Sequence, residues 1–320
     1  MTVPPDLSVD IGSLKFKNPV IAASGTFGYG TELTSFFDPS LLGAIIVKGL
    51  SLEPMPGNPP PRIAETPCGM LNAIGLANIG IEAFIAEKLP LLDPLGIPII
   101  TNIYGHNLED YAELSRRIEA VNGIDAVEIN ISCPNVERGG MVFGTDPDTA
   151  AAVTHEVVRN TAKPVIVKLT PNVTDITTIA RAVEAAGATA ISAINTFLGM
   201  AVDATTRRPK LANVVGGLSG PAIRPMALYL VHKIVETVNI PVIGLGGIVD
   251  YKDALEFLIV GARAVQVGTA SFVNPRAAIE IVDGLHNFCL REKIHNIHQI
   301  IGELNTSGES YEQKGNRKNQ

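Results

Sequence analysis

The chain of 320 residues has no tryptophan, three cysteines and few charges, with Asp, Glu, Lys and Arg making up 18%. Each shortage excludes something. Cys68, Cys133 and Cys289 stand far apart with no C-x-x-C pair. Neither a disulfide framework nor a Cys-ligated zinc or iron–sulfur site is therefore expected within this chain. Positive charge is in deficit: 25 Lys and Arg against 32 Asp and Glu, a formal net charge of −7. That argues against a nucleic-acid phosphate footprint and favours a soluble, cytoplasmic protein. No stretch approaches the ~20 apolar residues of a transmembrane helix. The opening MTVPPDLSVDIG has neither a basic segment nor an apolar run, so no signal peptide or membrane anchor is expected. No G-x-G-x-x-G follows an early apolar run, which counts against a doubly wound dinucleotide-binding sheet. His295 and His298 in HNIH lack carboxylate neighbours and read as a solvated helix face, so no metal site is expected.

What is present is a regular alternation. Hydrophobic residues make up 46% of the chain, enough for a large core. Short β-rich runs occur at 19–23, 43–48, 97–102, 126–131, 164–169, 190–195, 240–244 and 264–268. None alternates strictly between apolar and polar, so each is expected to be buried on both faces. Helical patterns at 110–121, 148–160, 175–186, 221–238, 251–260 and 275–290 fall between them or follow the last. Asp146 before Pro147 is an N-cap followed by a first-turn proline, and Gly187 and Gly261 are helix stops. Eight such units over about 250 residues predict a (β/α)8 TIM barrel, with a doubly wound sheet as the lesser alternative. Two segments break the alternation: a Pro- and Gly-rich insertion at 51–80 after strand two, and an excursion at 197–220 after strand six. The first is expected to be an ordered excursion over the barrel mouth, the second a short hairpin or lid. Residues 1–304 read as one domain and the polar tail 305–320 as disordered.

Barrels of this kind build their sites at the C-terminal ends of the strands. Those ends supply Ser24, Gly25 and Thr26; Lys48 and Gly49; Asn102; Asn130 and Cys133; Lys168 and Thr170; Asn195 and Thr196; Gly246 and Gly247; Gly268 and Thr269. Any one of them reads as a turn residue, but the set does not. Lys48 and Lys168 each end an apolar run, where an ammonium must be compensated by an anion or dipoles. Gly246–Gly247 and Gly268 leave backbone N–H groups open to a ligand after strands seven and eight, the usual phosphate position of such barrels. With the lysines and asparagines, this suggests a phosphorylated, planar, electron-poor cofactor, flavin mononucleotide. Cys133 ends VEINISC (127–133) and is followed at once by Pro134, which places a thiol at a strand end and not in the core. Cys289 reads as helix core and Cys68 as part of the insertion. His106 follows strand three without a clear role.

Those residues lie in recognisable runs: NPVIAASGTFGYG (18–30), VKG (47–49), RIAETPCGMLNAIGLAN (62–78), EINISCPN (128–135), VIVKLTPN (165–172), GGLSGPAIRP (216–225), IGLGGI (243–248) and VQVGTA (265–270). Together they resemble the dihydroorotate dehydrogenases of pyrimidine biosynthesis, and most of all the catalytic subunit of the NAD-dependent type, family 1B. The likeness extends to about residue 304, and the polar tail departs from it. The membrane-bound family has serine where this chain has Cys133, and carries an N-terminal membrane helix.

The resemblance implies oxidation of (S)-dihydroorotate to orotate, with the C5 proton passing to Cys133 and the C6 hydride to FMN, one per chain. It implies a substrate site of Lys48, Asn72, Ala73, Ile74, Gly75, Leu76, Asn130, Asn195 and Thr196. It implies flavin contacts from Ser24, Lys48, Gly49, Asn102, Asn130, Lys168, Ile194, Gly220, Gly246, Gly247, Gly268 and Thr269. It also implies a homodimer joined to a separate subunit carrying FAD and a two-iron cluster, a heterotetramer that delivers electrons to NAD. Three alternatives stay open: a fumarate-using family 1A enzyme, a dihydropyrimidine dehydrogenase subunit, and a flavin-free barrel acting as a lyase or isomerase on a sugar phosphate.

Overall fold

The computed structural model describes residues 4–132 and 143–306. Sixteen strands follow one another along these residues: β1 Val9–Ile11, β2 Leu14–Phe16, β3 Val20–Ala22, β4 Ala44–Leu50, β5 Ile63–Thr66, β6 Gly69–Asn72, β7 Ile99–Ile103, β8 Ala126–Asn130, β9 Val165–Leu169, β10 Ala190–Ala193, β11 Phe197–Met200, β12 Val202–Asp203, β13 Arg208–Pro209, β14 Val215–Ser219, β15 Val242–Leu245 and β16 Ala264–Val267. Eight of them close into a parallel barrel in the order β10-β15-β16-β3-β4-β7-β8-β9. These are the eight runs expected, and the fold is a (β/α)8 barrel. Their lack of alternation has the expected cause. β3, β7, β9, β10, β15 and β16 are buried at every position, because one face fills the barrel and the other meets helices.

The helices start where side chains can cap them. Asp146 accepts from the Thr149 amide before helix Pro147–Asn160, and Asp175 from the Thr177 amide before Ile176–Ala185. Asp250 and Asp253 form a capping box at the start of Tyr251–Ile259. Gly187 and Gly261 take positive φ angles just past the ends of two of these helices. Several expected boundaries shift. The strand expected over 190–195 stops at Ala193, and β4 runs on through Lys48 and Gly49 with a register shift between Val47 and Leu50. The pattern at 221–238 divides into a 3-10 turn, Pro221–Ile223, and helix Arg224–Val235. HNIH does not lie on a long helix: His298 sits in the 3-10 turn Ile297–Gln299, and both histidines are exposed.

The two interruptions form one structure. Insertion strands β5 and β6 pair antiparallel, and β6 pairs in turn with β14 of the later excursion, which pairs with β11. A four-stranded sheet, β11-β14-β6-β5, thus joins segments far apart in sequence. At the N-terminus β1 and β2 form a hairpin that periodicity did not predict, its strands being three residues each. Gly12 at its turn packs on Thr189, immediately before β10, which sets the hairpin at the N-terminal end of the barrel strands.

Among the described residues no helix is long and apolar enough to cross a membrane, and no group of three or more His, Cys, Asp or Glu is placed to hold a metal ion. Residues 307–320, most of the expected tail, lie outside the described residues.

Strand-to-helix packing leaves little slack. A Cβ at Gly244 in β15 would stand 2.5 Å from Cδ1 of Phe257, which is fully buried. Gly244→Ala is expected to lower stability by about 1–3 kcal/mol through overpacking. Chemical denaturation checks this, and an unchanged midpoint would show that the barrel relaxes there.

Candidate active site

The C-terminal ends of the barrel strands bring the expected Ser24, Asn102 and Lys168 together in a polar network that also includes Glu128, Ser192 and Gln266, which the sequence did not single out. Glu128 lies mid-strand in β8 with no solvent exposure. Its Oε1 accepts from Asn102 Nδ2 at 2.7 Å. Its Oε2 accepts from Ser192 Oγ at 2.8 Å and Gln266 Nε2 at 2.7 Å. Lys168 Nζ stands 3.7 Å from Oε1, with only 7% of its side chain exposed, and donates to Ser24 Oγ at 3.3 Å. Five barrel strands and the loop after β3 thus converge on one buried ion pair. The compensation that Lys168 required is supplied from within, by Glu128. A signal was available: a carboxylate inside the apolar run AVEIN is a buried charge, and buried charges are rarely unpaired.

A second group lies where β6, β14 and the loop after β10 meet. Asn72 Nδ2 donates to the Gly217 carbonyl at 3.3 Å, and Gly217 is packed directly on Thr196. Asn195 Oδ1 accepts from the Thr196 amide at 2.8 Å. Asn172, in the VIVKLTPN run but assigned no role, donates to the Thr196 carbonyl at 2.9 Å and accepts from the Leu198 amide at 2.9 Å. Asn130 is opposite Lys168 in the β8–β9 register. Its carbonyl accepts from Tyr111 OH at 3.0 Å and its Oδ1 from the Ser132 amide at 3.1 Å. Cys133, the expected base, lies outside the described residues.

The segment 73–76 is held from behind. Asn78 Nδ2 donates to Ser51 Oγ at 2.9 Å, to Tyr104 OH at 2.8 Å and to the Leu76 carbonyl at 2.9 Å. Asn78 Oδ1 accepts from the Gly80 amide at 2.8 Å. Tyr104 OH donates to the Leu76 carbonyl as well, at 3.0 Å. Leu76 itself has a positive φ of 57°, uncommon for a branched side chain, and these contacts fix it. Asn78 therefore shapes the loop on which Asn72 and Leu76 stand.

Across the mouth the expected glycines form a cradle. Gly246 and Gly247 have φ of 129° and 78°, which favour glycine. A Cβ at Gly247 would stand 2.8 Å from the Gly220 carbonyl and 2.9 Å from the Arg224 amide. Arg224, at the start of helix Arg224–Val235, is ion-paired with buried Asp253, which also accepts from the Val249 amide at 2.9 Å. Thr269 Oγ1 donates to Ser219 Oγ at 2.8 Å, tying the loop after β16 to the end of β14. Ile194 donates its amide to the Leu245 carbonyl at 3.0 Å, beside Gly246.

Lys48 differs from Lys168. It is half-buried, and among the described residues no carboxylate pairs with it. Burial pushes its amine below the usual lysine range, and the nearby Arg62 charge lowers it further; only Glu32 opposes them. Glu32 Oε2 is already engaged by the amides of Tyr29, Gly30 and Thr31. The two cations Lys48 and Arg62 make this side of the mouth a place for an anion. Gly49, next to Lys48, would carry a Cβ 2.8 Å from Asn102 Oδ1, so strand β4 passes close over the buried network.

The other cysteines are apart from this site. Cys68 is exposed in the turn between β5 and β6, while Cys289 is buried in helix Ala277–Arg291, where burial pushes its thiol up. His106 is exposed and lies 3.4 Å from Asp110.

Known proteins resemble this chain in sequence over nearly its whole length. The family described as dihydroorotate dehydrogenase matches residues 6–289. Three relatives are each named dihydroorotate dehydrogenase B (NAD(+)), catalytic subunit. One from Trichlorobacter lovleyi is 56% identical over 94% of this chain and 99% of its own length. One from Citrifermentans bemidjiense is 54% identical over 94% and 98%. One from a Thermoanaerobacter species is 51% identical over 93% and 99%.

Asn78→Ala removes the partner of several buried groups at once. It is expected to cost about 1–3 kcal/mol and to open the 73–76 segment to limited proteolysis before global unfolding. Cleavage confined to other loops would contradict the role given to Asn78.

Proposed function

The chain belongs to the dihydroorotate dehydrogenase family, and we propose that it is the catalytic subunit of an NAD-dependent enzyme that oxidises dihydroorotate to orotate in pyrimidine biosynthesis. The observation that carries this reading is the division of labour between two lysines at one barrel mouth. Lys168 has an internal counter-ion, whereas Lys48, beside Arg62, has none among the described residues and would suit an anionic group. The same strand ends and loops carry neutral amides, Asn72, Asn130 and Asn195, suited to the donors and acceptors of a pyrimidine ring.

The chain's residues fit FMN. The cradle of Gly220, Gly246, Gly247, Gly268 and Thr269 suits a phosphate: at Gly220, Gly246 and Gly247 the positive φ and tight packing leave no room for a side chain. Ser24, Gly49, Asn102, Asn130, Lys168 and Ile194 would hold the rest of the cofactor. Bound flavin would supply the acceptor for the hydride from C6. Lys168 would hold positive charge beside it, and Lys48 would bind the substrate carboxylate. Asn72, Asn130, Asn195 and Thr196, with the backbone of Ala73, Ile74, Gly75 and Leu76, would orient the ring. Cys133 would take the C5 proton; its role rests on its place in the run EINISCPN, three residues beyond Asn130. Residues 1–304 would form one domain carrying both sites, in the cytoplasm.

Electrons must then leave. With three scattered cysteines and no dinucleotide fingerprint, this chain offers no exit of its own. The exit in our reading is a partner subunit with FAD and a two-iron cluster, bound to a homodimer of this chain as a heterotetramer. The relatives' printed name, a catalytic subunit of an NAD(+) enzyme, supports a partner.

Two experiments test the proposal. Cys133→Ala should keep its flavin and lose a factor of about 10² or more in the rate of flavin reduction, as for loss of a general base. Cys133→Ser should retain part of that rate with its pH optimum moved upward, since a hydroxyl gives up its proton less readily. Reduction at the wild-type rate in the alanine variant would remove Cys133 from the mechanism. Separately, the purified chain with dihydroorotate should not reduce NAD until the partner subunit is added. Rapid turnover with fumarate by the chain alone would point instead to a family 1A enzyme.

A further inference from the structure

Glu128 has no part in the function just described, yet both of its carboxylate oxygens are engaged by side chains of the barrel interior. Three neutral donors from three different strands hold its carboxylate, and its remaining neighbour is the Lys168 ammonium. A carboxylate with no solvent exposure in a barrel interior persists only when it is paired. The pairing acts in both directions. Among the described residues Lys168 has two polar contacts, Glu128 at 3.7 Å and the neutral Ser24 hydroxyl at 3.3 Å. Its charge therefore depends on Glu128.

Glu128 also sets the polarity of Asn102. Because Asn102 Nδ2 is committed to the carboxylate, its Oδ1 is the atom left against Gly49. One carboxylate thus fixes a cation and an amide acceptor on adjoining sides of the mouth.

We propose that Glu128 is a positioning residue that acts through Lys168: it holds the ammonium in place and offsets part of its charge, and so sets how readily the bound flavin is reduced. The proposal rests on the reading that Lys168 lies beside the flavin. With the carboxylate ionised, the pair presents a cation to the flavin with its field partly cancelled from behind. Removing the negative charge alone should strengthen that field and favour the reduced, anionic flavin. Removing the positive charge alone should leave a bare carboxylate and disfavour it.

The test is a double-mutant cycle on the flavin-loaded protein, reading midpoint potential and FMN affinity. Glu128→Gln keeps the shape and is expected to shift the potential upward. Lys168→Met is expected to shift it downward and weaken FMN binding by at least about tenfold, since it strands a buried charge. The double variant should recover, with a higher potential and tighter FMN than Lys168→Met alone. A role confined to barrel stability would lower the melting temperature and leave the potentials in place.

If Lys168→Met lowers the potential and Glu128→Gln does not raise it, Glu128 does not act through Lys168 and the proposal is wrong. If Lys168→Met leaves the potential unchanged, the placement of Lys168 beside the flavin fails, and this proposal fails with it. Should Glu128→Gln alone not fold, Glu128→Asp takes its place: it keeps the charge and draws it back from Lys168, and a potential and FMN affinity both equal to wild type overturn the proposal.

Discussion

A closed barrel gives its interior side chains no water, so every charge inside must find its partner among the other strands. Here that constraint falls on Glu128 and Lys168, on neighbouring strands β8 and β9. Their separation is compatible with an ion pair only if the strands keep their register, and the donors from β7, β10 and β16 reinforce it. Leaving either charge alone would cost about 3–5 kcal/mol. The network thus does two things at once. It pins five strands at the level where the barrel opens, and it delivers a cation to the floor of the mouth.

Above that floor the site is completed by chain from far away. The sheet β11-β14-β6-β5 is built from two excursions more than a hundred residues apart, and it sets Asn72 beside Gly217 and Thr196. The cluster of Asn78, Ser51 and Tyr104 then braces the intervening 73–76 loop against β4 and β7. The amide-rich wall is therefore a tertiary product. Its rigidity comes from buried side-chain hydrogen bonds, which are stronger in a low-dielectric setting and costly to leave half-made.

Much of this was legible in the sequence, for physical reasons. Parallel barrel strands are apolar on both faces, so their runs stand out, and all eight were found within a few residues. Aspartate caps and glycine stops marked helix ends because each solves a local backbone problem. Lys168 and the glycine pair could be placed at strand ends from position alone, whereas Lys48 lies two residues inside β4, which runs on to Leu50. What escaped depended on distant partners. The pairing of β6 with β14 leaves no local periodicity, since β14 carries adjacent glycines. The β1–β2 hairpin is too short for a pattern to emerge. Glu128 was visible as a charge in an apolar strand, but its partners come from strands up to 138 positions away. Asn78 looked like Asn72 in sequence, and only the fold separates the brace from the residue it braces.

The proposed function depends on this mouth holding a flavin that dihydroorotate can reduce. Anaerobic mixing of the purified, flavin-loaded chain with dihydroorotate or with dihydrouracil, followed by flavin absorbance, tests that dependence without any partner subunit. We expect bleaching by dihydroorotate and none by dihydrouracil, which lacks the carboxylate that Lys48 would receive in the proposed function. A chain that purifies without flavin and binds none, or a flavin bleached by dihydrouracil and not by dihydroorotate, would contradict it.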